Sequence, residues 1–273
     1  MNYRHIYHAG NFADVMKHLA FVLCVEYLKK KDTPFCVIDA HGGCGLYDLS
    51  SEQAQKTGEW RDGIGRFDRA AGQPDSFLFY DHLIRPDLDR QCYPGSPVLA
   101  ARMLRPSDRL IANELHPEDV VTLRRNLRSF ENAYVTHLDA YECIRAHVPP
   151  PEKRGIVLID PPFEERDEFD TLARQMAEWK KRWPTGIYMI WYPIKAHLDI
   201  PRMMDAARAA GFHRTWHFEC LRHPRMQPET FNGSGLLIFN VPFSVPETLR
   251  AAAPFLSERL DLHEVRMEWL TSE

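Results

Sequence analysis

The chain predicts an α/β fold, a doubly wound and mostly parallel sheet with a small helical insertion. Three observations point there. Short apolar runs rich in β-branched residues recur, and each closes on an acid, as expected of strands covered on both faces whose carboxyl ends meet a ligand crevice. The first of these runs feeds a glycine-rich turn. Segments with helical apolar spacing separate the later runs, as crossovers between parallel strands require. With 273 residues and 44% hydrophobic content, the chain can bury one large core and carry a smaller insertion.

The amino terminus begins with Tyr3, Arg4, His5, Tyr7 and His8, a tail of rings and cations suited to stacking on bases and pairing with phosphates. From Asn11 the apolar residues Phe12, Val15, Met16, Leu19 and Leu23 keep a helical period. That spacing places Asn11, Asp14 and His18 in one line on the opposite face. Asn11 as an N-cap with Asp14 in the first turn explains those two residues as well as a functional role does.

The first strand runs through Phe35-Cys36-Val37-Ile38 to Asp39 and enters the turn His41-Gly42-Gly43-Cys44-Gly45, where glycine lets backbone approach a ligand closely. The second acid-ended run is Arg109 to Asn113, closed by Glu114, a carboxylate able to accept both hydroxyls of a ribose. Ala133 to Ala140 reads as a third short strand closed by Asp139. Gly155 to Ile159 is the fourth, and it ends in Asp160-Pro161-Pro162-Phe163. The two prolines fix φ and donate no N–H, so this turn is stiff and presents bare carbonyl oxygens beside an aromatic face, a setting for a planar base bearing an NH2 group.

Between the glycine turn and the Glu114 strand lie more residues than one crossover needs, so residues 49–93 read as an inserted helical subdomain, and residues 1–48 and 94–273 as the main domain. The insertion ends at Tyr93-Pro94-Gly95-Ser96-Pro97, after which Val98 to Leu104 has the pattern of the delayed crossover helix. Ser96 would cap that helix or offer its hydroxyl and N–H to a carboxylate. Beyond Asp160, Phe169 to Trp183 is a helix whose aromatic stripe reads as core packing, and Gly186 to Pro193 a strand. Pro201 to Ala210 follows as a helix, with Trp216–Leu221 and Leu236–Val241 as the last two strands and a surface loop or hairpin tip at 222–235 between them.

These motifs resemble a known family. Asp39-x-His41-x-Gly43-x-Gly45 is similar to methyltransferase motif I, and Asp160-Pro161-Pro162-Phe163 to motif IV, the signature of S-adenosylmethionine-dependent enzymes that modify exocyclic amines. Adding Tyr3-Arg4-His5, His8-Ala9-Gly10-Asn11, Ala13-Asp14-Val15, Lys17-His18, Tyr93-Pro94-Gly95-Ser96-Pro97 and Glu114-Leu115-His116-Pro117, the chain resembles the RlmJ family nearly end to end. The resemblance implies a Rossmann-like class I methyltransferase fold, S-adenosylmethionine as cofactor, and the N6 amine of an unpaired or flipped adenine in 23S ribosomal RNA as substrate. It further implies that His18, His41, Ser96, Glu114, Asp139 and Ala140 contact the cofactor, that Asp160 stands at the reacting amine, and that Tyr3, His5 and Lys17 serve the substrate. Phe163 stands where the motif usually has Tyr, keeping a stacking face and losing a hydroxyl. No metal is implied.

A net charge of −4 excludes a broad nucleic-acid-coating surface while allowing a basic rim around one cleft. The six cysteines form no Cys-x-x-Cys pair and read as reduced thiols of a cytoplasmic protein. Neither membrane insertion nor export is indicated, and a monomer is expected. Other readings are a methyltransferase of DNA adenine, another RNA, a protein or a small molecule; a nicotinamide-dependent oxidoreductase, which shares the glycine turn and ribose acid; and a non-catalytic RNA-binding protein.

Overall fold

A computed structural model describes residues 3–67, 72–164, 168–195, 199–224 and 231–271. Residues 1–2 of the tail and 225–230 of the 222–235 loop lie outside the described residues. After a short 3-10 turn at His5–Tyr7, helix α1 spans Phe12–Lys29. Asn11 is its N-cap, its side chain accepting the Asp14 N–H at 2.9 Å. The helix is buried on nearly every side, Asn11, Asp14, Lys17 and His18 included, so its polar line faces an interior cleft.

Strand β1 (Cys36–Asp39) leads through the glycine turn to a small hairpin strand, β2 (Leu46–Asp48). The chain after β2 forms α2 (Glu52–Thr57), α3 (Asp75–Leu88) and β3 (Cys92–Pro94), with β3 returning antiparallel to β2. Phe77, Tyr80 and Ile84 of α3 lie in the same apolar core as α1. Helix α4 (Ser96–Met103) follows, with Gly95 as its N-cap. Ser96 is therefore the first helical residue, and no side chain caps this helix, contrary to the capping expectation.

The second half alternates regularly: β4 (Arg109–Asn113), α5 (Pro117–Leu127), β5 (Ala133–Thr136), α6 (Ala140–His147), β6 (Gly155–Ile159), α7 (Glu168–Arg182), β7 (Ile187–Ile194), α8 (Ile200–Ala209), β8 (Thr215–Leu221) and β9 (Gly233–Phe239). The Leu172, Met176, Trp179 and Trp183 stripe is core, as its spacing predicts. β8 and β9 are not the last strands. Helix α9 (Val245–Leu260) and strand β10 (Glu264–Thr271) follow, β10 pairing antiparallel with β8 at the sheet edge.

The sheet order is β10-β8-β9-β7-β6-β1-β4-β5. β7, β6, β1, β4 and β5 are parallel, while β9, β8 and β10 add on antiparallel. From β1 the chain moves outward through β4 to β5, then crosses back to β6 and continues to β7. The reversal lies between β1 and β6, and the crevice above such a switch point is where open α/β sheets bind ligands. Asp39 ends β1 and Asp160 follows β6, so both stand at that crevice.

Candidate active site

The crevice opens into two adjoining cavities. The first, about 340 Å³, is lined by the glycine turn, Ser96, Glu114, Asp139, Ala140, His18 and His41. The second, about 310 Å³, lies towards Phe163, Trp191, Phe231 and the tail. Tyr3, His5, Lys17, Asp160, Pro162 and Glu164 line both. The sequence-predicted cofactor residues thus gather at the first cavity; of the predicted substrate residues, Tyr3, His5 and Lys17 stand at its junction with the second, and Phe163 lines the second alone.

Backbone conformation builds the floor of the first cavity. Gly43 and Gly45 have φ of +57° and +75°, a region that costs other residues strain. A Cβ on Gly43 would also come 2.0 Å from the Tyr47 hydroxyl. With that turn in place, the Gly43 N–H donates to Glu114 Oε2 at 2.8 Å and the His116 N–H to Oε1 at 2.7 Å, aiming the carboxylate. Burial raises the Glu114 pKa. Asp139 caps α6, accepting the N–H groups of Tyr141 and Glu142 at 2.9 and 3.2 Å, and so is fixed at the cavity wall beside Ala140.

His18 and His41 on this wall are neutral. Burial pushes His41 down to about 4 and His18 down to about 3. His41 Nδ1 accepts the Asp160 N–H at 3.1 Å, so the ring proton sits on Nε2, and the ring braces the start of the Asp160 turn. His18 Nδ1 meets the Tyr93 hydroxyl at 2.7 Å, itself 2.7 Å from the Tyr80 hydroxyl, a link from α1 to β3 and α3. Asp39, at the sheet end below the glycine turn, is fully buried, and burial raises its pKa to about 6.

Where the cavities meet, the Lys17 ammonium is ion-paired with Asp160 Oδ2 and, at 2.9 Å, with Asp14 Oδ1. Burial alone would lower the lysine pKa, but the two carboxylates override it and raise it, so Lys17 is charged. Among the described residues the first cavity carries six carboxylates, Glu114, Asp119, Asp139, Asp160, Glu164 and Glu168, against this one ammonium. Such a lining receives a cationic ligand with hydroxyl and amine donors.

Phe163 departs from the simple stacking plate. Its φ is +50°, strained for a bulky residue, and only 8% of it is exposed. Its ring packs edge-on against Phe169 at 5.3 Å and Trp191 at 6.0 Å. Trp191, its indole N–H held by Ser234 Oγ at 2.8 Å, joins it on the second cavity wall. Sequence reasoning missed Trp191, whose strand reads only as core. It also missed Glu59, which accepts from His8 and Asn11 and lines the second cavity. The tail itself is docked: Tyr3 stacks on His8 at 5.5 Å, and Arg4 pairs with Glu118 and Asp119.

Comparison with known proteins adds an independent line. A family model described as ribosomal RNA large subunit methyltransferase D, RlmJ, matches residues 32–271. The ribosomal RNA large subunit methyltransferase J of Haemophilus influenzae is 35% identical over 280 residues, spanning 100% of both chains. Its counterpart of the same name from Escherichia coli is 36% identical over 264 residues, 95% of this chain and 94% of that one. The crystal structure of a Legionella pneumophila protein is similar with a TM-score of 0.88 and 30% identity, covering 97% of this chain and 99% of the other.

Proposed function

Because the chain belongs to the RlmJ family of ribosomal RNA large subunit methyltransferases, we propose that it transfers a methyl group from S-adenosylmethionine to the N6 amine of an adenine in 23S ribosomal RNA. The observation that carries the reading is the junction of the two cavities at one carboxylate, Asp160, with an acid-rich chamber on one side and an aromatic-walled one on the other. The acid-rich lining fits a sulfonium cofactor and would repel the pyrophosphate of a nicotinamide dinucleotide.

When bound, S-adenosylmethionine supplies a methyl group on a positively charged sulfur. Glu114, held by two backbone N–H groups, accepts the ribose hydroxyls. Gly42 and Gly43 let the backbone approach closely, and Asp139 and Ala140 border the adenine end. On the other side, a target adenine flipped out of its stack enters the second cavity against the wall that Phe163 and Trp191 form together, because N6 is out of reach while paired. Its amine donates to Asp160 and to a carbonyl oxygen of the Pro161-Pro162 turn. Those two bonds turn the nitrogen lone pair out of the ring and towards the first cavity. Lys17 pairs with Asp160 Oδ2 and orients the carboxylate, so that Asp160, directly or through water, takes the proton that the amine gives up. Both cavities are made by one chain, which suits a monomer, and a ribosomal RNA substrate suits the cytoplasm.

The test is mass-spectrometric mapping of N6-methyladenine in 23S ribosomal RNA from cells with and without this chain. One adenine that loses its methyl group in the deleted strain and regains it with the purified protein and cofactor supports the reading. Unchanged modification, or transfer to protein alone, overturns it.

A further inference from the structure

We propose that Asp14 is the positioning residue of this active site, one buried carboxylate that fixes both the N-terminal tail and Lys17, and through Lys17 the orientation of Asp160. An acid in the first turn of a helix is ordinary, since it complements the helix dipole from a solvated position. Asp14 is not solvated: it is 2% exposed. Its Oδ2 takes the Gly10 N–H and His5 Nε2, each at 2.9 Å, and its Oδ1 takes Lys17 Nζ at 2.9 Å. A buried carboxylate is tolerated when it collects donors in this way: burial alone would raise its pKa, but the Lys17 charge and the His5 hydrogen bond override that and hold it well below the usual carboxylate range.

The three donors come from three parts of the site. A carboxylate only accepts, so His5 must carry its proton on Nε2; its Nδ1 then faces the Tyr3 hydroxyl at 2.8 Å, and Tyr3 lines both cavities. One branch therefore runs Asp14, His5, Tyr3, and holds the tail across the cavity junction. The other runs Asp14, Lys17, Asp160, and reaches across the cleft. Asp14 borders the second cavity, but both of its oxygens are taken by the Gly10 N–H, His5 and Lys17, so it acts through these partners. Without it, Lys17 has one carboxylate instead of two to hold it, and His5 has no acceptor.

The kinetic part of this inference rests on the methyl-transfer reading, whereas the structural part does not, so the experiment has two arms. Hydrogen exchange of the tail amides is followed in Asp14→Asn, in Asp14→Glu and in His5→Phe, the last removing the link from the half-buried tail side should the buried substitution fail to fold. Exchange at residues 4–10 should rise about tenfold or more in Asp14→Asn and His5→Phe while the β-sheet amides stay protected. In the kinetic arm, Asp14→Asn should lower kcat about 100-fold with KM for an RNA fragment changed within about threefold, and calorimetric affinity for S-adenosylhomocysteine should be retained. Asp14→Glu should recover part of the kcat. Wild-type tail exchange in His5→Phe overturns the proposal, as does a loss in Asp14→Asn spread evenly over all amides. If the wild-type protein methylates no RNA, the functional reading fails, and the exchange arm alone still decides whether Asp14 anchors the tail.

Discussion

Lys17 and Asp160 are 143 residues apart in the chain, yet their side chains form an ion pair that is 4% exposed on the lysine side and 15% on the aspartate side. The lysine comes from the first helix and the aspartate from the turn after β6. Their meeting places a fixed positive charge at the junction of the two cavities and leaves the rest of the Asp160 carboxylate turned to the crevice. Asp14 holds the same ammonium from the other side, so three side chains of alternating sign are locked together in low dielectric.

Replacing Asp160 tests the catalytic role of this junction. Asp160→Ala removes the acceptor of the amine and should reduce methyl transfer about 10²–10⁴-fold, while calorimetric cofactor affinity falls by much less. Lys17→Met instead leaves two carboxylates facing each other without their cation, which should cost about 3–5 kcal/mol of folding stability in denaturant titrations as well as turnover. Near-normal transfer by Asp160→Ala with cofactor bound would remove the basis for the mechanism.

Stability should fall on the acid side. His18 and His41 have folded-state values near about 3 and about 4, against about 6.5 in an unfolded chain, so the unfolded state binds their protons first. Their contribution is complete above about pH 6.5 and is lost as the pH falls towards those folded values. Asp39 runs oppositely: its folded value near about 6 exceeds about 3.9 for the unfolded chain, so its contribution is complete below about pH 4 and is lost as the pH rises through 6. Two histidines outweigh one aspartate. Unfolding free energy at pH 4.5 should lie about 3 kcal/mol below that at pH 7, and His18→Gln, which can keep a bond to Tyr93, should remove about half of the loss or more. Equal stability at the two pH values would mean that these rings are not held neutral.

The parts of this site that sequence could supply are those written in short-range patterns. Each strand and its terminal acid are contiguous, so Asp39, Glu114 and Asp160 are legible from a run of apolar residues and a break. The Asp14 and Lys17 pair was also readable, being three residues apart on a helix, although a first-turn acid reads first as a dipole partner. Asp160 beside Lys17 was not, because nothing local records a contact across 143 residues. The edge-on packing of Phe163 depends on Phe169 and Trp191 in separate elements, and so was invisible to the motif. The C-terminal helix was obscured by Pro254 within it, which sequence rules take as a break. β10 does alternate through Val265, Met267 and Trp269, a signal that was there to be used.

Cofactor affinity should depend on the glycine turn through geometry and on Glu114 through charge, and two substitutions separate these. In Gly43→Ala, the added methyl meets the Tyr47 hydroxyl and the φ of +57° becomes strained, so the turn must shift and the N–H that aims Glu114 moves with it. Glu114→Gln keeps the side-chain shape but replaces an acceptor carboxylate with an amide, whose NH2 faces the backbone N–H groups or the incoming hydroxyls and can accept from neither. Both should weaken binding of S-adenosylhomocysteine about 10–100-fold by calorimetry, the penalty of losing charge-assisted bonds to a buried carboxylate. They should differ when RNA methylation is measured at saturating cofactor. Glu114→Gln stands away from the reacting amine and should recover most of its kcat, whereas Gly43→Ala disturbs the turn that also carries His41, the brace of the Asp160 backbone, and should not recover fully. Unaltered affinity in Glu114→Gln would place the ribose elsewhere in the crevice.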